Sequence, residues 1–406
     1  MSEAVLVAAP DRWERALEAL SADPEAQSIF DSAARHSAYD RYLRTSANRE
    51  RPGRYWKIDL DALAPSSYDH TAATTAHFSG GTARGVVRCD LATATREHRA
   101  VFEKAFGKAL AHAPGKYAAL AQAFVTGGAF VYIPPDVCVD EPIIISYRPS
   151  RGSAAFPYTL IVAAEGSSAT VIEQHDAADE SVFVCGVTEV IARTAATVTH
   201  AAIQTLPEDA TVFFTRAALT ERNARVSWAA ADLGAHVCGS TIFTAIEEMG
   251  AQAHIAALFF PHAEQHVDFV TTTDHLAGQS QSRTLIKSAA TGNGQARYLG
   301  NIRIAANMHG CDANLKDDAL LLSPHAHIDS VPALEIAAND VKAFHGATVG
   351  ALDEETVFYM MTRGLDRRTA ERMIALGFFE PALDHFPTAA LRERLRRLLE
   401  QKITAA

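Results

Sequence analysis

Long apolar runs, paired cysteines and clustered positive charge are all scarce in this sequence. No apolar stretch reaches the roughly 18–20 residues that cross a bilayer, so a helical membrane span is not expected. The first residues, MSEAVLVAAPDRW, hold a short apolar patch at 6–9 without the basic segment that precedes it in a secretory signal. The expected location is the cytosol. The five cysteines, at 89, 138, 185, 238 and 311, are odd in number and far apart. With no CxxC pair, neither a structural zinc site nor a complete cysteine-held cluster is expected within one chain. Four of them read as reduced, buried small hydrophobes. Cys311 stays open as a ligand.

Positive charge is outnumbered, with 37 Lys and Arg against 48 Asp and Glu, a formal net charge of −11. Binding to a phosphate backbone rests on clustered cations that release counterions. No long basic run precedes the last helical stripe, so nucleic acid and anionic membranes are not expected partners. Catalytic signatures are missing too: there is no GxSxG, P-loop, GxGxxG with a following acid, or HExxH. TGNG at 291–294 lacks the P-loop Lys and Ser/Thr and reads as a turn.

Hydrophobic residues make up 48% and charged residues 21%, the balance of a folded protein. A length of 406 residues exceeds what one compact core usually serves, which suggests an elongated body with smaller pieces at its ends. Residues 1–126 read as a helical region with a linker. Trp13, Leu17 and Leu20 form one stripe, Ile29, Phe30, Ala33 and Ala34 begin another, and NRERPG at 48–53 marks a turn or linker. Further stripes span 94–110 and 117–124, the latter stopping before Gly127 and Gly128.

From 127 to 350 the chain is rich in Val, Ile, Thr and Phe in short runs, such as YTLIVAAEG (158–166) and TVFFTRAALT (211–220). Similar triplets at 169–171, 196–198, 224–226 and 252–254 step by 27 or 28 residues, each after a turn. A fixed period of that size in β-rich sequence points to a solenoid, and propeller blades run longer. The expected fold is mainly β: a right-handed parallel β-helix core, each coil burying its apolar face on its neighbours. A helical domain follows over 351–406. Acids at 353–355 suit a helix start. Gly364 and Gly377 each look like a helix end, and Leu391, Leu395, Leu398 and Leu399 stripe a last helix. Helices at both ends would cover open coils that otherwise recruit strands.

Three groups of possible metal ligands stand out. His262, Glu264 and His266 would share one face of a strand, and His325 with His327 would do the same. The word His309-Gly310-Cys311-Asp312 groups two possible ligands. Each also reads as a solvated polar face. His345, just before Gly346 at the junction of β-body and helices, reads on spacing alone as a turn histidine.

The words PALEI (332–336), NDVK (339–342), HGATVG (345–350), LDEE (352–355), VFYMMTRGL (357–365) and GFFEP (377–381) resemble the SufD family of Suf iron–sulfur cluster assembly scaffolds. DHLAGQSQSRTLIKSAATGNGQARYLGNI (274–302), DALLLS (318–323), GGAFVYIPPDVCVDEPI (127–143) and GRYWKIDL (53–60) are similar as well. The resemblance implies a β-helix with helical terminal domains and a non-enzymatic role. It implies pairing with a SufB-like scaffold, or a homodimer when alone, and binding of a SufC-like ABC-type ATPase through the C-terminal helices. Asp353, Glu354, Phe358, Tyr359, Arg363 and Gly364 would serve that second contact. A transient Fe–S cluster, shared with the partner and not stably bound by this chain alone, would form at the scaffold interface.

The family's interface histidine maps onto His345, with Cys311 as a possible companion. Many relatives carry a cysteine between the Lys and the His, where this chain has Lys342-Ala343-Phe344-His345. SufB-like paralogues carry a cysteine where this chain has Asp317, which favours the SufD side. A coil step near 28 would bring Asp317 beside His345. The alternatives are a β-helix carbohydrate-active enzyme, which needs paired carboxylates or a metal with a basic residue on one coil face, and a self-contained metal or Fe–S protein built on His309, Cys311, His325 and His327.

Overall fold

The computed structural model describes residues 12–45, 74–150, 152–176 and 181–404. The apolar patch at 6–9, the 48–53 turn and the 53–60 word lie outside the described residues. The N-terminal helices are α1 (Arg12–Ala22), α2 (Pro24–Ile29) and α3 (Ser32–Arg44). Two short strands follow, β1 (His77–Gly80) and β2 (Val87–Asp90), then α4 (Leu91–Glu97), α5 (Arg99–Ala105) and α6 (Lys116–Phe124). The β-body begins with β3 (Gly127–Ile133), β4 (Ile143–Tyr147), β5 (Ala154–Ala155), β6 (Pro157–Ala163) and β7 (Ser168–His175). It continues through β8 (Phe183–Ala192), β9 (Thr197–Gln204), β10 (Thr211–Thr220), β11 (Arg225–Asp232), β12 (Val237–Ile246) and β13 (Gln252–Phe259). It ends with β14 (His266–His275), β15 (Gln281–Ala290), β16 (Gln295–Ile304), β17 (Cys311–Leu321), β18 (His327–Ile336) and β19 (Val341–Ala351). The C-terminal helices are α7 (Glu354–Thr362), α8 (Arg367–Leu383) and α9 (Ala389–Thr404). No helix among the described residues is long and apolar enough to cross a membrane.

In the first coils β3 pairs in parallel with β6, β4 with β7 and the short β5 with β8. From β6 onward successive strands alternate between two sheets, so each pairs in parallel with the one two places on. Sheet I runs β1-β4-β7-β9-β11-β13-β15-β17-β19 and sheet II runs β18-β16-β14-β12-β10-β8-β6-β3-β2. The result is a parallel β-solenoid of about eight coils, as the sequence period suggested. The period itself is uneven. In sheet I the register joins Ser168, Thr197, Arg225, Gln252, Gln281, Asp312 and Lys342, with steps from 27 to 31 residues. The triplets at 169 and 196 are thus not equivalent, because Ala169 pairs with Val198. Turns of different length absorb the difference.

One corner of each coil is a turn held by a residue in the left-handed region. Asp136, Gly166, Ala195, Asn223, Gln279 and Gly310 all have positive φ. Each donates its N–H to a turn carbonyl of the next coil, for example Ala195 to Arg222 at 2.8 Å and Asn223 to Met249 at 3.1 Å. The corners therefore stack as the strands do.

Inside, alternate residues such as Val171, Val198 and Val226 fill the lumen. The outer faces are also largely buried, which is why β8, β10 and β12 show almost no alternation of buried and exposed residues. The N-terminal helices lie along the outside of sheet II, where Trp13, Leu120 and Phe124 share a cluster with Phe183, Val187, Phe213 and Phe243. The helices α8 and α9 lie on the outside of sheet I, where Phe379, Leu383, Leu395 and Leu399 meet Ile203, Ala231, Leu258 and Ala289.

These placements correct several expectations. Helices do stand at both termini, but they cover the flanks of the solenoid, because that is where apolar outer rungs match their stripes. The first coil is closed by β1 and β2, which pair antiparallel with β4 and β3. Among the described residues, the last coil, β18 and β19, has no further strand beyond it. Helix α8 does not stop at Gly377 but continues past Pro381 to Leu383. Burial of Phe379, Ala382 and Leu383 outweighs the cost of about 1 kcal/mol for an interior glycine. The 94–110 stripe is split at His98 into α4 and α5.

Candidate functional site at the open end of the solenoid

Strand β19 continues sheet I, with His345 in register with Leu315 and Ala347 with Asp317. In β17 the residues Cys311, Ala313, Leu315, Asp317 and Ala319 are buried and alternate with more exposed neighbours. By the same alternation Val341 and Ala343 pack against the lumen cluster, and His345 faces the same way. His345 is nonetheless exposed, because among the described residues no coil lies above it. Its imidazole stands at the mouth of the lumen without a hydrogen bond to any described residue.

The register changes the expected neighbour of His345. The coil step here is 30 residues, which puts Leu315 beneath His345 and moves Asp317 two positions along. At about 3.3 Å per residue along the strand and 4.8 Å across, that offset is roughly 8 Å between backbones. Asp317 is fully buried. Ser330 of β18 donates its hydroxyl to Asp317 Oδ2, while Oδ1 has no partner. Burial pushes the carboxyl up to about 6.

Cys311 is not brought to His345. It lies in register with Val341, four positions from His345, on the order of 13 Å along the strand. It is buried, with its thiol 3.3 Å from Ser280 Oγ and 3.5 Å from the carbonyls of Ala277 and Met308. The other ligand groups also separate. His262 and Glu264 sit in the turn before β14, not on its face. His262 instead joins Glu208 at 2.8 Å and lies 2.7 Å from Lys402 Nζ. His327 pairs with Asp329 at 2.8 Å, and His309 lies in the turn before β17. Among the described residues no three His, Cys, Asp or Glu side chains are placed to hold a metal ion.

The open end is apolar as well as unpaired. Phe344 is 61% exposed, and Val331, Ile336 and Val349 of the same last coil are exposed as well. Nothing lies within 4 Å of a side chain built at Gly346 or Gly350. On sheet II the edge strand β18 contains Pro332, which has no N–H to offer. On sheet I the edge strand β19 has no proline.

Just beyond the mouth, Asp353 caps α7 by accepting from the N–H groups of Glu355 and Thr356 and from the Thr356 hydroxyl. Those bonds, the Thr356 hydroxyl first, hold its carboxyl below the usual range. Glu354 bonds Arg367 at 2.6 Å and so ties α7 to α8. Only Val357 of α7 is buried. Phe358 and Tyr359 are 68% and 58% exposed. Arg363 lies over the Tyr359 ring at 5.1 Å. Gly364, with φ +94°, turns the chain into α8.

Met361 of α7 and Met373 of α8 are exposed as well. Sequence reasoning missed both, because methionines in a helical stripe read as core. It also missed the uncovered edges, which no local pattern reveals.

Over residues 146–378 the chain matches the family described as SUF system FeS cluster assembly, SufBD core domain. It is 30% identical over 358 residues to the iron–sulfur cluster assembly protein SufD of Bacillus subtilis, covering 85% of this chain and 81% of that protein. It is 28% identical over 307 residues to SufBD family proteins of Staphylococcus epidermidis and Staphylococcus haemolyticus, covering 75% of this chain and 66% of theirs. With that match and the solenoid that carries it, the chain belongs to the SufBD family of iron–sulfur cluster assembly proteins.

Proposed function

We propose that this chain is a non-catalytic half-scaffold that works in the cytosol, joined at its open end to a second, SufB-like scaffold. The observation that carries this reading is the uncovered last coil with His345 at its mouth. Unpaired strand edges with exposed Phe344 and Val349 suit pairing with another solenoid. One imidazole is short of the roughly four protein ligands that a cluster takes. The nascent cluster is cargo, completed by the partner's ligands and released. Purified alone under anaerobic conditions, the chain should hold no stoichiometric cluster by absorption and iron analysis.

The exposed aromatic face of α7 suits a second contact, with a SufC-like ATPase whose turnover drives the assembly. His345→Ala should leave the three-subunit complex intact by gel filtration. The same variant should lower cluster output severalfold in reconstitution. Unchanged output would remove His345 from the site.

A further inference from the structure

The outer face of sheet I beside α8 carries a ribbon of cations on a chain whose net charge is −11. Arg225 on β11, Gln252, Gln281, Asp312 and Lys342 on β19 stand in one register line. Arg283 on β15 and Lys316 on β17 lie in the two adjoining lines. Arg225, Lys316 and Lys342 are exposed and Arg283 is partly so.

Acids do not cancel this charge. Asp312 bonds Arg283 at 2.8 Å. Asp318 is shared by Lys287 at 2.8 Å and Lys316 at 3.3 Å. Five cations therefore face two carboxylates. The field reaches nearby groups: the pKa of His254, between Arg225 and Arg283, is lowered first by burial and then by both arginines and His385.

We infer that this ribbon is a docking surface for an acidic, extended protein segment. Strands about 4.8 Å apart place Arg225, Arg283 and Lys342 at steps of about 10 Å along the solenoid axis. An extended chain advances about 3.3 Å per residue, so acids at every third position match those steps. A peptide of moderate charge suits a face that carries only three unbalanced cations on an acidic molecule. A nucleic acid presents far denser charge. The ribbon ends beside Phe344, so a docked segment would approach the open end from outside the lumen. None of this depends on the pairing of two scaffolds.

The test uses the full chain and fluorescence anisotropy at low salt. The probes are a labelled twelve-residue peptide of four Glu-Ser-Gly repeats, its Lys-Ser-Gly counterpart and a twelve-nucleotide single strand. The acidic peptide should bind saturably, and binding should fade as salt is added. The double variant Arg225→Glu/Lys342→Glu should weaken it by at least about tenfold. Arg99→Glu on α5 applies the same reversal on another face and should leave binding unchanged. Thermal melts establish that the variants fold. If the double reversal does not fold, Arg225→Gln/Lys342→Gln should still weaken binding severalfold. No saturable binding of the acidic peptide, equal binding by a folded double variant, or tighter binding of the oligonucleotide would each overturn the inference.

Discussion

At the scale of single residues, the corner stack and the buried acid make the sharpest predictions. Gly250 has φ +76°, and a side chain there would meet Asn223 Oδ1 at 2.0 Å. Gly250→Ala combines left-handed strain of about 1–2 kcal/mol with that clash. Chemical denaturation should register a loss of at least that size. Asp317 bears on pH. Its carboxyl is pushed up from 3.8 to about 6, so the folded chain holds the proton more tightly than the unfolded one. The stability it contributes is full below pH 3.8 and is lost as pH rises through 6, on the order of 3 kcal/mol. Asp317→Asn should therefore gain stability relative to the parent as pH rises from 4 to 7. Parallel curves for the two proteins in urea would contradict the assignment.

Single residues were also where the sequence was least legible. Buried polar groups of the lumen, such as Glu173 held by His175 at 2.6 Å and His200 at 3.2 Å, have no local signature. His175 lies two residues along the same strand, but His200 comes from the neighbouring coil, so the register is needed to reveal the full set. His262 misled for the same reason: its spacing to His266 suited a strand face, but a turn intervenes.

At the scale of elements, α7 is unusual in how little holds it. One buried valine, an aspartate cap and the Glu354–Arg367 pair fix it, while its aromatic side chains face outward. Replacing Phe358 and Tyr359 together by Ser should cost the isolated chain less than about 0.5 kcal/mol. The same change should reduce capture of the proposed SufC-like ATPase in a pull-down by an order of magnitude. Undiminished capture would place the contact elsewhere. The existence of this helix and its acidic start were readable from spacing and charge. Its exposure was not, because Val357, Phe358, Met360 and Met361 form a stripe like any core-facing one. The extent of α8 was misread at Gly377, where packing against sheet I overrides a local stop signal.

At the scale of the whole molecule, the repeat of β-runs made the solenoid legible, and the β-branched composition made its strands so. The uneven coil length explains why the register was not. Turns vary by a few residues, so aligned triplets slip while the strands they begin stay paired. The placement of the helices depended on which outer rungs are apolar, a property of the assembled sheets. The candidate site was legible only through family words. The geometry adds that His345 occupies a lumen position left bare by the end of the solenoid.

The two ends of that solenoid differ in what they offer to another molecule. One is finished by the four-residue antiparallel strands β1 and β2, too short to template much pairing. The other is unfinished, and there β19 is free of proline while β18 is interrupted by Pro332. If two scaffolds pair as proposed, the chain has a valence of one: two such bodies joined end to end would consume both reactive ends and leave nothing for a third. A fold whose repeats could in principle stack without limit would thereby be confined to pairs, and filaments avoided.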